Sequence, residues 1–151
     1  MLYSGIKPLA AQETARIAAE TERRKKPRVV LGLSGGVDSC VSALLLKNAG
    51  CEVLGVYLKS ELFKDESAGA RLAAEDIGIE FKTADISASL FENVCRPFVE
   101  EYLRGRTPNP CARCNPLVKF KTLFAEADAI GAEKVATGHY AKILFVSEQN
   151  R

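Results

Sequence analysis

Nowhere does this sequence stay apolar for the roughly 20 residues that a membrane-spanning helix needs. Residues 1–27 also lack the continuous apolar core of a signal peptide. The expectation is a protein of the cytoplasm, with no membrane among its partners. Cysteine is scarce and unpaired: Cys40, Cys51, Cys95, Cys111 and Cys114 are an odd set in a chain without export signals, which argues for free thiols against a disulfide scaffold. A net charge of +2 is too small to mark a nucleic-acid partner by itself, although basic residues gather at 23–26 and again over 104–121. Histidine occurs once, as His139. No internal repeat and no low-complexity segment interrupts the chain.

What is present divides near Arg28. Residues 8–26 are rich in Ala, Glu, Gln and Arg, with little apolar content beyond alanine, Leu9 and Ile17, so residues 1–27 read as an exposed N-terminal helical arm. That arm either stays solvated or carries Arg23 to Lys26 towards an RNA. From Arg28 onward strands and helices alternate. Strands are expected over 28–32, 52–58, 79–84 and 134–137, and helices over 39–48, 67–77, 87–104 and 117–130. The third helix sets Leu90, Phe91, Val94, Cys95, Phe98, Val99 and Tyr102 on one stripe, with Pro97 expected to kink it. A loop over 105–116 separates it from the fourth. Such alternation builds βαβ units, so residues 28–151 are expected to form one α/β domain, an open parallel sheet with helices on both faces in the Rossmann-like manner.

In such a sheet, ligands bind beyond the carboxyl ends of the strands. The apolar run Val29 to Leu33 gives way to Ser34-Gly35-Gly36-Val37-Asp38-Ser39 and then to a helical pattern. Paired glycines let the backbone turn and approach a ligand, and the amides at the following helix N-terminus attract an anion. The loop has neither the Gly-Lys-Ser/Thr ending of a Walker A motif nor the Gly-x-Gly-x-x-Gly spacing. Leu58 and Lys59 end the second strand and Gly138 and His139 follow the last, so all reach the same crevice. Loop amides and the hydroxyls of Ser34 and Ser39 are expected to donate to phosphate, and Asp38 to hold Mg²⁺ or brace the loop.

The hexapeptide Ser34 to Ser39, set between a strand and a helix, resembles the PP-loop of ATP pyrophosphatases. Those enzymes split ATP between its α and β phosphates and adenylate a substrate. The resemblance implies ATP with Mg²⁺, held by Leu33, Ser34, Gly35, Gly36, Val37, Asp38 and Ser39, with Leu58 and Gly138 approaching the nucleotide closely. The loop Gly105 to Pro116, with Lys119-Phe120-Lys121 and Ala136-Thr137-Gly138-His139-Tyr140, narrows this further. It resembles the tRNA-specific 2-thiouridylases, over about Val29 to Lys142. That family adenylates the C2 oxygen of the wobble uridine and displaces AMP with sulfur carried as a cysteine persulfide. The resemblance makes Cys114 and Asp38 catalytic residues, sets Asn109 and Pro110 against the target base, and implies tRNA and a persulfide sulfur donor protein as partners.

Cys111 departs from the family's pattern, which usually has aspartate there. A Cys111-x-x-Cys114 pair can bind zinc, hold part of a 4Fe-4S cluster, or interconvert between dithiol and disulfide. Related sulfur-transfer enzymes hold such a cluster with one further cysteine, here Cys95, Cys40, Cys51 or one from another chain. Arg104, Arg106, Arg113, Lys119 and Lys121 flank the pair and are expected to meet tRNA phosphates, as is Cys111 to face the RNA. His139 is expected either to orient a phosphate or thiolate or to pack. Thiouridylases continue into further domains with a second catalytic cysteine. The expectation is therefore a second polypeptide that supplies those parts, or Cys111 as the second thiol. Two other functions stay open: sulfur insertion into a small molecule or cofactor precursor through an iron-sulfur cluster, and a non-catalytic nucleotide- or tRNA-binding module of a split complex.

Overall fold

Val29, Val30 and Leu31 make β1 (Arg28–Gly32) a strand buried on both faces, which is what a central parallel strand requires. The computed structural model describes residues 26–141. The expected arm therefore lies, apart from Lys26 and Pro27, outside the described residues. β1 is followed by α1 (Val37–Asn48), β2 (Glu52–Lys59), α2 (Ser67–Ile77) and β3 (Glu80–Asp85). All strand pairs are parallel, in the order β3-β2-β1-β4, with β4 spanning Lys134–Thr137. This is the open parallel sheet anticipated from the alternation of elements.

Side chains of β1 and β2 alternate between two cores. Val30, Leu54 and Val56 pack with Ala84, Leu123 and Ala127 on one face. Leu31 and Val53 pack with Leu33, Ala43 and Ala74 on the other, so α1 and α2 cover that side. Cys40 and Cys51 pack against this second core. α1 is apolar almost all round, and it leaves Val37, Val41, Leu44 and Leu45 exposed.

Two composite helices complete the fold. The first, α3, joins Ser87–Leu90, a π-helical stretch Phe91–Cys95 and Arg96–Leu103. The second, α4, joins Pro110–Cys114, a π-helical stretch Asn115–Phe120 and Lys121–Ile130. Each wide turn accompanies a proline, Pro97 or Pro116, that has no amide hydrogen for the α-helical ladder. The anticipated kink at Pro97 thus takes the form of an i→i+5 turn just before it. The anticipated apolar stripe is only half used: Leu90 and Val94 join Ile86 and Val118 in a third core, whereas Phe91, Phe98, Val99 and Tyr102 are exposed.

The loop expected over 105–116 is shorter than the residue types suggested, because a helix begins inside it. The Asn109 side-chain oxygen accepts from the amides of Cys111 (3.1 Å) and Ala112 (3.3 Å), and Pro110 occupies the first helical position, where its missing amide costs nothing. Cys111 and Cys114 therefore sit on the first turn of α4.

Candidate active site

The phosphate-loop motif folds into a self-braced turn. Gly35 adopts φ +82°, and a Cβ there would stand 3.0 Å from the Ala70 amide nitrogen, so both its conformation and its contact exclude a side chain. The buried Ser39 hydroxyl donates to the Gly36 carbonyl at 2.9 Å and accepts from the Ser34 amide at 3.3 Å. Having spent its only proton there, Ser39 accepts across the 3.1 Å contact from the Ser34 hydroxyl, which itself accepts from the Gly36 amide. In this arrangement Ser39 braces the loop. α1 begins at Val37, two residues earlier than its sequence pattern indicated, and Gly36 caps it without a side-chain acceptor. Its first-turn amides therefore open toward the crevice.

Beyond the carboxyl ends of β1, β2 and β4 lies a cavity of about 520 Å³. The chain passes from β1 to β2 on one side while β4 lies on the other, so this is the sheet's topological switch point. Leu33, Ser34, Asp38, Ser39, Leu58 and Gly138, all anticipated as nucleotide contacts, line it, and His139 does too. Lys119, expected among the RNA contacts, is also on its wall. Asn109, Pro110, Arg106, Cys111 and Cys114 are not among the lining residues.

Gly138 also makes a close approach within the chain. A Cβ there would fall 2.9 Å from the Ser39 amide nitrogen and 3.0 Å from the Asp38 carbonyl carbon. The glycine lets β4 press on the first turn of α1. Just after it, the Tyr140 hydroxyl donates to Asp38 Oδ1 at 2.8 Å. That hydrogen bond and the carboxylate charge favour the neutral phenol and push the Tyr140 pKa up. His139 Nδ1 and Thr137 Oγ1 lie 2.8 Å apart, and its ring is tilted against Phe120 at 6.3 Å. Tyr57, Glu66, Phe120 and Tyr140 were not singled out as site residues by the sequence, although Phe120 and Tyr140 stand inside motifs already quoted.

Several cations near the crevice are already partnered. Lys59 pairs with Asp65 at 2.9 Å. Asp65 is held well below the usual carboxylate range, first by hydrogen bonds from Ser67 and then by Lys59. Arg106 makes a two-point pair with Glu101, its Nη2 donating to Oε1 at 2.5 Å while Nε engages Oε2. This lowers the Glu101 pKa and leaves Arg106 less free for phosphate than its position in the basic cluster suggested.

The cysteine turn is tied down from the opposite side. Pro97 cannot donate to the carbonyl of Asn93 four residues before it, and that carbonyl accepts from Arg113 Nε at 3.0 Å. Cys114 is half-buried against the third core, on which Cys95 also packs, whereas Cys111 is exposed. Leu58 packs on that same core and also lines the cavity, so the core that carries Cys114 adjoins the cavity wall. Among the described residues no three Cys, His, Asp or Glu side chains converge as a metal site needs. Cys40 and Cys51 lie on the far face of the sheet and Cys95 packs as an apolar residue. The anticipated cluster with one of these as third ligand does not fit this chain's cysteines, and no chemistry is derived through iron or zinc. No described helix is long and apolar enough to cross a membrane.

A tRNA-specific 2-thiouridylase of Bacteroides fragilis is 41% identical over 121 residues, covering 80% of this chain and 33% of the relative. Counterparts from Clostridium botulinum and Nitratiruptor are 45% and 44% identical, each over 76% of this chain and 35% of theirs. The chain thus spans about a third of the length of these relatives. Among solved structures, one described as a predicted subunit of tRNA methyltransferase from Methanocaldococcus jannaschii superposes with a TM-score of 0.56 at 20% identity, over 81% of this chain and 58% of that one, and shares the fold. The family model of the tRNA methyl transferase HUP domain matches residues 27–151, and this chain belongs to that family.

Proposed function

We propose that the chain is the ATP-binding and substrate-activating domain of a tRNA 2-thiouridylase. It adenylates the C2 oxygen of a tRNA uridine, and sulfur carried on Cys114 then replaces that oxygen. The observation that supports this most is the path of α4. Its first turn bears Cys111 and Cys114, and its later residues Lys119, Phe120 and Leu123 line the cavity under the phosphate loop. One helix therefore links the thiols to the nucleotide crevice. The names of the relatives supply tRNA as the substrate class.

The loop amides and the N-terminus of α1 face the pyrophosphate and take up the charge that grows as it leaves. Attack of the uridine oxygen on the α-phosphorus releases pyrophosphate, and attack of the Cys114 persulfide's outer sulfur on C2 expels AMP and leaves C2 joined to Cys114 through S–S. The Cys111 thiolate then attacks Cys114 Sγ, the S–S bond breaks with its electron pair on the sulfur that stays on C2, and the resulting Cys111–Cys114 disulfide is reduced by an external thiol. Asp38 suits Mg²⁺ carried on ATP, since Tyr140 engages one of its oxygens and the carboxylate is exposed. When bound, that ion screens phosphate charge; the protein's own part is to hold the loop rigid around it. Cys111, exposed one turn from Cys114, is the partner thiol within reach of an incoming persulfide donor protein. A second polypeptide that completes the grip on tRNA belongs to the same proposal.

The test is nucleoside mass spectrometry of a tRNA transcript incubated with the chain, ATP and a persulfide donor. The expected products are 2-thiouridine, AMP and pyrophosphate, with thiouridine lost in Cys114→Ser. A chain that releases no pyrophosphate from ATP and tRNA, or a Cys114→Ser variant that thiolates normally, refutes the reading.

A further inference from the structure

We propose that Lys119 binds the α-phosphate of the nucleotide, and that the π-helical stretch Asn115–Phe120 exists to bring this cation round to the side of α4 that carries Cys114. The inference rests on the nucleotide reading above and adds to it a residue with a defined target. Lys119 is the only lysine or arginine among the described residues that line the cavity, whose wall also carries the carboxylates of Asp38 and Glu66. A nucleotide triphosphate entering there meets loop amides on one side and needs positive charge on the other.

Lys119 is also free to supply it. Arg28, Lys59, Lys82, Arg96, Arg104 and Arg106 all pair with carboxylates, whereas Lys119 has no such partner among the described residues. Its backbone is nevertheless anchored, because the preceding Val118 is fully buried in the third core and Leu123 is buried in the first. A free ammonium on a fixed helix beside an electronegative ligand site is a preorganised contact.

The helix geometry explains how the cation and the thiol share a side. Residues 114 and 119 are five apart. In an α-helix, at about 100° per residue, they would point roughly 140° away from each other. An i→i+5 turn brings residue i+5 back over residue i, and the stretch 115–120 is of that kind. Five residues of rise separate them along the axis by no more than about 7.5 Å. The loop takes the pyrophosphate end of ATP, so the α-phosphorus, where the uridine oxygen must attack, lies between loop and α4. Lys119 faces that phosphate, and Cys114 lies where sulfur has to arrive next.

The experiment measures ATP and AMP binding calorimetrically, and tRNA binding by filter retention, for wild type, Lys119→Gln and Lys119→Arg. Lys119→Gln is expected to weaken ATP and AMP by the same factor, about 10- to 100-fold. Lys119→Arg should recover part of the loss, and the tRNA affinity and thermal midpoint should stay at the wild-type values. AMP is the informative probe because it carries only the α-phosphate. A loss confined to ATP would put Lys119 on the pyrophosphate, and a loss confined to tRNA would make it an RNA contact; either overturns the proposal. Wild-type protein that binds no ATP overturns the nucleotide reading and this proposal together, whereas wild type and Lys119→Gln binding ATP equally overturns this proposal alone.

Discussion

Replacing Gly138 by alanine tests whether the phosphate loop is shaped from behind by β4. The added Cβ would stand 2.9 Å from the Ser39 amide nitrogen, 3.0 Å from the Asp38 carbonyl carbon and 3.2 Å from the Asp38 Cβ. Ordinary carbon contacts lie near 3.5–4.0 Å, so β4 and the first turn of α1 must part by about 0.5 Å or more. Two of the three close atoms belong to the backbone, and no rotamer change relieves them. Gly138 does not have positive φ, so alanine meets no conformational penalty and the cost is steric. Overpacking of this kind costs about 1–3 kcal/mol. Stiffening the unfolded chain returns about 0.4–1 kcal/mol, so the net effect is destabilising in most of that range. The displaced atoms include the amides that face phosphate, so nucleotide affinity should fall by about tenfold or more, beyond the change in stability. Urea unfolding and calorimetric ATP titration read the two effects. Gly69→Ala is the control: nothing lies within 4 Å of its Cβ, it sits in α2, and the substitution should stabilise by up to about 1 kcal/mol with ATP binding intact. A Gly138→Ala protein that unfolds with Gly69→Ala and binds ATP like wild type would refute the steric argument.

The Arg113 contact with the Asn93 carbonyl should matter only because Pro97 leaves that carbonyl without its helical donor. Arg113→Ala is expected to cost about 1 kcal/mol in the natural background and distinctly less in Pro97→Ala, where an amide hydrogen is restored; additive effects in urea unfolding would dismiss the link. The Tyr140–Asp38 pair predicts a pH signature. Because the folded-state pKa of Tyr140 is raised, the stability from this bond is whole below the ordinary phenol value near 10 and disappears as pH climbs through the raised one. Ultraviolet titration should show one of the four tyrosines ionising late, and Asp38→Asn should return it to the ordinary range. A difference titration that stays flat would break the assignment.

The phosphate loop was legible because its chemistry is local. A buried strand, two glycines and a helix start are all written within Val29 to Ser39, and the parallel sheet then fixes which strand ends meet. What escaped was decided by contacts between distant segments. Lys119 lies in a basic stretch that reads as an RNA-facing surface, and only the wide turn after Cys114 carries it to the cavity wall. The start of α4 was hidden by Pro116, which in sequence looks like a helix breaker but is absorbed by the i→i+5 register. The packing of Gly138 against the backbone of Asp38 and Ser39 was likewise not legible, because it joins segments a hundred residues apart. For Arg106 the controlling fact is Glu101, five residues earlier across a turn at Gly105, and periodicity says nothing of such a pair.

The two prolines fit a single structural logic. Pro97 frees a carbonyl that Arg113 takes up, which ties the turn bearing Cys111 and Cys114 to α3. Pro116 lies within the stretch that rotates α4 between Cys114 and the cavity. Val118 is fully buried in the core on which both Cys114 and Leu58 pack. Leu58 in turn lines the nucleotide crevice at the end of β2. The thiol and the phosphate cradle are therefore held by packed, continuous elements, with no flexible segment needed to bridge them. On the proposed reading the activated carbon must meet sulfur before water does, and a half-buried Cys114, packed on the same core as the cavity-lining Leu58, suits that demand.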